Sequence, residues 1–135
     1  MIFDHIGIFV RDIDAGKATL AAMLPIAHWS ETYDDPGIKV RVAFGTDATG
    51  VRFELVAPFG ESNPVSGALA AGRNILNHVA YRVPDLEAAI AALRATGAVP
   101  LGVPHPAVAF AGARVIFFLT PLKFVVELIE EKAQA

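Results

Sequence analysis

The chain has 135 residues, 54% of them hydrophobic and 19% charged, with a net charge of -3 and a mean hydropathy of +0.49. That length suits one packed core, or two half-size lobes sharing one, and the composition is too apolar for a disordered segment. Its 11 Lys and Arg are scattered against 14 Asp and Glu, which excludes a phosphate-tracking nucleic-acid surface, and without cysteine any metal must be held by His, Asp or Glu.

In chain order, residues 3–10 are apolar and β-rich, and Asp12 is placed to cap a helix carrying Ile13, Leu20 and Leu24 on one side. Residues 29–33 make a weaker strand. Residues 38–44 and 51–56 read as strands around a turn at 45–50. Residues 62–72, with Pro64 at a first helical turn, predict a short connecting helix. The pattern then begins again. Residues 77–83 form a strand, and Asp85 caps a helix with Leu86, Ile90 and Leu93 at i, i+4 and i+7, ended by Gly97. Strands over 113–119 and 124–129 follow around Pro121, with a weaker one at 99–103. The stretch 95–113 lacks Asp, Glu, Lys and Arg, but its prolines and glycines break any membrane-spanning helix, so no membrane partner is expected.

The second half repeats the first at an offset of 73 residues without a gap. His5 falls on His78, Asp12 on Asp85, Leu20 on Leu93, Arg41-Val42 on Arg114-Val115, Phe44 on Phe117, and Phe53-Glu54-Leu55-Val56 on Val126-Glu127-Leu128-Ile129. Each half therefore supplies one His near its start and one Glu near its end. Strand parity puts Val125, Glu127 and Ile129 on one face. A carboxylate among apolar neighbours costs several kcal/mol unless it is paired, protonated or metal-bound. Taken singly, a strand His is commonly a hydrogen-bonded residue, and Glu54 beside Arg52 could be the solvent-facing member of an alternating strand. Four such residues at one offset point instead to His5, Glu54, His78 and Glu127 converging on a divalent cation. His28 and His105 lack repeat partners and read as structural or solvent-facing. No Gly-x-Ser-x-Gly elbow or phosphate-cradling glycine motif is present.

The paired Asp/Asn-His blocks, each followed by a helix and closed by a Glu-Leu strand, resemble the vicinal oxygen chelate superfamily across essentially the whole chain. The resemblance implies an α+β fold of tandem βαβββ modules forming a curved mixed sheet around a metal site, as one domain over 1–135: module 1 at about 1–60, a linker helix at about 61–73, and module 2 at about 74–131. It implies His5, Glu54, His78 and Glu127 as ligands of a divalent ion, with Co, Ni, Zn and Mn all compatible. Within the superfamily, Glu54-Leu55-Val56-Ala57-Pro58-Phe59-Gly60 followed by Asn63-Pro64-Val65 and Leu69 is similar to methylmalonyl-CoA epimerases. Asp35-Pro36-Gly37 falls where such epimerases carry an acid-x-Gly turn. The implied function is an epimerase or isomerase acting through a chelated enolate on a methylmalonyl-CoA-like thioester, with Glu127 and Asp35 as acid/base groups. The end of the chain, Val126 to Lys132, equally resembles bacterial glyoxalase I, so a glyoxalase-type lyase is the first alternative. An extradiol dioxygenase ranks third among the catalytic readings, and a drug-binding resistance protein without turnover is kept as an alternative of a different class. The first residues lack a secretory pattern, so a cytoplasmic protein is expected, and the resemblance together with the apolar composition implies a homodimer with a small-molecule substrate.

Overall fold

A computed structural model of the chain describes residues 1–60, 64–73 and 75–132. Among these residues are three α-helices and ten strands, which places the chain in the α+β class. It divides into two compact units, one formed by His5–Asn77 and the other by Met1–Asp4 with His78–Ala135.

The first unit contains most of β1 (Ile2–Phe9), then α1 (Ile13–Met23), β2 (Ile26–Trp29), β3 (Tyr33–Asp35), β4 (Val40–Asp47), β5 (Arg52–Pro58) and α2 (Pro64–Ala71). Asp12 caps α1 as its position predicts, its carboxylate accepting from the Ala15 amide at 2.8 Å. β1 runs parallel to β5, β5 antiparallel to β4, and β4 pairs with both β2 and β3. One face of this sheet packs Ala43, Leu55 and Ala57 against Ile13 and Leu20 of α1. The expected turn at 45–50 is shorter than the sequence suggests, because β4 continues through Gly45 to Asp47. Gly45 is a packing glycine: a Cβ there would lie 2.6 Å from the Trp29 ring on β2. The chain reverses after Asp47, whose carboxylate accepts from the Thr49 and Val51 amides. Leu24, expected on the helix, caps it instead and is partly exposed. Of the connecting helix, Pro64–Ala71 is helical as predicted, while residues 61–63 and 74 lie outside the described residues.

The second unit holds β6 (Leu76–Val83, from His78), α3 (Leu86–Ala95), β7 (Val99–Pro100), β8 (His105–Pro106), a single 3-10 turn (Val108–Phe110), β9 (Arg114–Leu119) and β10 (Val125–Glu130). Asp85 caps α3 through the Ala88 amide at 3.0 Å, and Gly97 takes a φ of 93° just past the helix end. β10 is parallel to β6 and antiparallel to β9, repeating the β5 arrangement of the first unit. Val83, Leu86, Ala98, Ile116, Phe118 and Leu128 form the core beneath α3. The weak strand expected at 99–103 is only two residues long, since Gly102, with a φ of 157°, and Pro104 interrupt it.

Candidate functional site

In the first unit, the β1–β5 register sets Gly7 beside Glu54 and Phe9 beside Val56, and the β5–β4 register sets Glu54 beside Phe44. By strand parity His5, Phe44 and Glu54 share the face turned away from α1. His5 is fully enclosed and Glu54 is 5% exposed, so the solvent-facing alternative for Glu54 does not hold. Nε2 of His5 lies 3.5 Å from Oε1 of Glu54, and the Phe44 ring stands edge-on to the imidazole with centroids 5.5 Å apart. The Arg52 guanidinium lies over the Phe44 ring, 3.8 Å from its centroid.

The second unit repeats this geometry. Val125 pairs with His78 and Glu127 with Ala80 across β10–β6, and Glu127 pairs with Phe117 across β10–β9, so all face away from α3. Nε2 of His78 is 3.3 Å from Oε1 of Glu127, both are buried, and the Phe117 ring stands edge-on to His78 at 5.4 Å. His105 also stacks near Phe117, with ring centroids 6.5 Å apart, and its Nδ1 is 3.2 Å from the Val103 carbonyl oxygen. His105 on β8 is half-buried against Phe117.

The donor set can be tested against a divalent ion directly. Two ligands of one ion at bonds of about 2.0–2.2 Å and near-tetrahedral or octahedral angles lie about 3–3.5 Å apart. Both His–Glu separations match that spacing. Each imidazole also turns Nε2, the usual ligating nitrogen, toward its carboxylate. The mixed N and O donors suit a first-row divalent metal.

Asp35 ends β3 opposite Val40 and is 5% exposed. Its Oδ1 accepts from the Gly37 amide at 3.1 Å and the Ile38 amide at 3.4 Å, so the Asp35-Pro36-Gly37 segment is an Asx turn that fixes its own carboxylate. The register Asp35–Val40–Pro58 continues the rows of Tyr33–Val42–Val56 and Phe44–Glu54, which puts Asp35 on the face that carries Glu54. The residues given no role by sequence are Phe44 and Phe117. Their signal was present, since they align in the repeat.

The glyoxalase/bleomycin resistance protein/dioxygenase superfamily matches residues 4–117. This chain belongs to that superfamily. Its relatives include an ethylmalonyl-CoA/methylmalonyl-CoA epimerase from Cereibacter sphaeroides, 34% identical over 131 residues that make up 94% of this chain and 93% of the relative. The fold matches that of a methylmalonyl-CoA epimerase from Mycobacterium tuberculosis with a TM-score of 0.79 at 24% identity, covering 97% of this chain and 88% of that one. It also matches a variant Streptomyces coelicolor methylmalonyl-CoA epimerase in complex with 2-nitronate-propionyl-CoA, with a TM-score of 0.76 at 26% identity over 98% and 99% of the two chains. These superfamily relatives are enzymes of the isomerase class. No helix among the described residues is long and apolar enough to cross a membrane.

Proposed function

We propose that this chain is a metal-dependent epimerase of a methylmalonyl-CoA-like thioester, a single domain over 1–135, with His5, Glu54, His78 and Glu127 holding one divalent ion. The observation that carries this reading is the pair of buried His–Glu contacts at equivalent points of the repeat, each spaced as two ligands of one ion are. Two donors alone hold an ion weakly, so both pairs serving one ion is the economical arrangement. The epimerase names of the relatives support the substrate class. Cobalt, nickel, zinc and manganese all suit the donors.

When bound, such an ion supplies electrophilic stabilisation of negative charge on substrate oxygens. Inversion at the α-carbon further requires one group to take the proton from one face and another to return a proton on the opposite face. Glu127 and Asp35 fill these roles. Glu127 is a buried carboxylate on a strand flanked by apolar side chains, on the face that carries His78. Asp35 is held by its own turn, which fixes the direction from which it delivers or accepts a proton. We further assign the protein to the cytoplasm and to a homodimer. Exposed Val99, Leu101 and Val103 along the β7 edge supply apolar surface for association.

The test is proton exchange. Metal-loaded protein in deuterated water should wash label into the α-carbon of a methylmalonyl thioester, and chelation should stop it. Isomerisation of an oxoaldehyde hemithioacetal with no such exchange would move the assignment to the glyoxalase type. Inertness toward both with tight binding of a glycopeptide drug would make it a sequestering protein. Light scattering that gave a monomer at high concentration would overturn the dimer.

A further inference from the structure

In the first unit, beyond the ends of β1 and β5, lies a cleft of about 270 Å³. Arg11, Pro58, Ser66, Leu69 and Ala70 line it. Arg11 lies in the bend just after β1 and Pro58 ends β5, and both line the cleft together with Ser66, Leu69 and Ala70 of α2. Arg11 is exposed, and it makes no ion pair among the described residues. A guanidinium kept at the mouth of a cleft without a carboxylate partner is a ready receptor for an anion, and its planar fork matches phosphate oxygens.

The surroundings reinforce the sign of that charge. The Lys39 carbonyl accepts from the Phe59 amide beside Pro58, and the Arg73 amide donates to the Ala68 carbonyl at the end of α2, so the backbone brings two further basic residues to the segments next to the cleft. Neither forms an ion pair among the described residues. Of the acids in this part of the unit, Asp34 pairs with Arg41, Asp12 caps α1 and Asp35 closes its own turn, while Asp14 stands exposed in the first turn of α1. A hydroxyl from Ser66 and the small apolar walls of Leu69 and Ala70 complete a lining suited to a compact polar head on an organic chain.

Distance decides which anion. Glu54 and Pro58 are four strand residues apart, about 13 Å, and His5 to Arg11 is about 20 Å along the chain. An acyl group held at the His5–Glu54 pair cannot reach so far with its own carboxylate. The phosphates of a thioester carrier, set off from the sulfur by the pantetheine arm, can. We propose that the Arg11 cleft binds a phosphate of the coenzyme A carrier and so holds the substrate by the end remote from the reacting carbon. This rests on the epimerase reading for the identity of the carrier and adds to it a specificity-determining residue.

Titration calorimetry of metal-loaded protein with coenzyme A itself tests the cleft without turnover. Arg11→Ala should weaken binding ten- to hundredfold, the worth of one charge-assisted hydrogen-bonded contact. Arg11→Lys should recover part of it, added salt should weaken the wild type more than Arg11→Ala, and Arg94→Ala, a charge removed from exposed α3 surface, should bind as the wild type does. In kinetics, the preference for the coenzyme A thioester over its N-acetylcysteamine analogue, measured as the ratio of kcat/KM, should fall by the same factor in Arg11→Ala. Unchanged coenzyme A affinity in Arg11→Ala at an unchanged Tm would overturn the proposal. So would Arg11-dependent binding of inorganic phosphate that coenzyme A does not displace. Exchange of label with equal preference for the two thioesters in wild type and variant would sink the cleft and leave the epimerase intact. Arg11-dependent binding of coenzyme A with no exchange from either thioester would do the reverse.

Discussion

Phe44 and Phe117 hold the same station in the two halves of the repeat, each edge-on to a buried histidine at 5.5 Å and 5.4 Å. Each is also the cross-strand partner of the glutamate that the histidine faces, Glu54 and Glu127. A ring so placed restricts the imidazole to one rotamer and keeps water from the His–Glu contact. Phe117→Leu should therefore cost only about 1–2 kcal/mol of stability in urea unfolding, yet lower metal affinity severalfold in competition with a chelator. Phe118→Ala, a core change on the opposite face, should cost about 3–5 kcal/mol and leave the metal affinity of the folded protein close to wild type.

Removal of a ligand should be plain in the metal content. His5→Ala and Glu127→Ala should each lose most of the bound ion by elemental analysis after dialysis. The chelator-treated wild type should melt at a lower temperature than the loaded form, because an ion that binds only the folded state stabilises it by mass action. Stoichiometric metal in both variants would show that the ion sits elsewhere.

Asp35→Asn separates chemistry from folding. The amide oxygen can still accept from the Gly37 and Ile38 amides, so the turn and the Tm should be nearly unchanged. Loss of an acid/base group should nonetheless slow inversion by about 10²–10⁴-fold. Label exchange with retention should fall less, since the remaining base can take and return a proton on its own face. Chiral analysis of product alongside deuterium content measures both.

Gly45→Ala should destabilise the protein by about 1–3 kcal/mol in urea unfolding, because the new methyl group would stand 2.6 Å from the Trp29 ring. Pairing it with Trp29→Leu should recover part of the loss, whereas a purely conformational effect at Gly45 would not be rescued.

Stability should also depend on pH in the acid range. The Arg114 guanidinium beside Glu130 holds that carboxyl below its ordinary value of 4.5, and hydrogen bonds from Thr49 and the turn amides hold Asp47 below 3.8. The folded state thus takes up these protons less readily than the unfolded one. Their stabilisation is present above the ordinary values and is lost as the pH falls through them toward the lower folded values. The Tm should drop over that window, and Glu130→Gln should flatten part of the drop.

The repeat, the two helix caps and the four candidate ligands were legible in the sequence because each rests on local chemistry or on spacing. Asp12 and Asp85 cap through the residue three places on, strand parity assigns Glu127 to a face, and the offset of 73 residues marks its counterpart without any structure. What only the tertiary structure decided depends on partners distant in sequence. Glu54 could have faced water beside Arg52, and burial came from its place between β1 and β4. Gly45 reads as a turn glycine until Trp29 is laid across it, and Phe44 and Phe117 read as generic core until each is seen against its histidine. The Arg11 cleft belongs to the same group. Its lining comes from the bend after β1, the end of β5 and α2, segments brought together because parallel pairing carries the ends of β1 and β5 to the same end of the sheet. Periodicity records which way a side chain points along its own element, while the neighbour it meets is fixed by long-range register that no local pattern encodes.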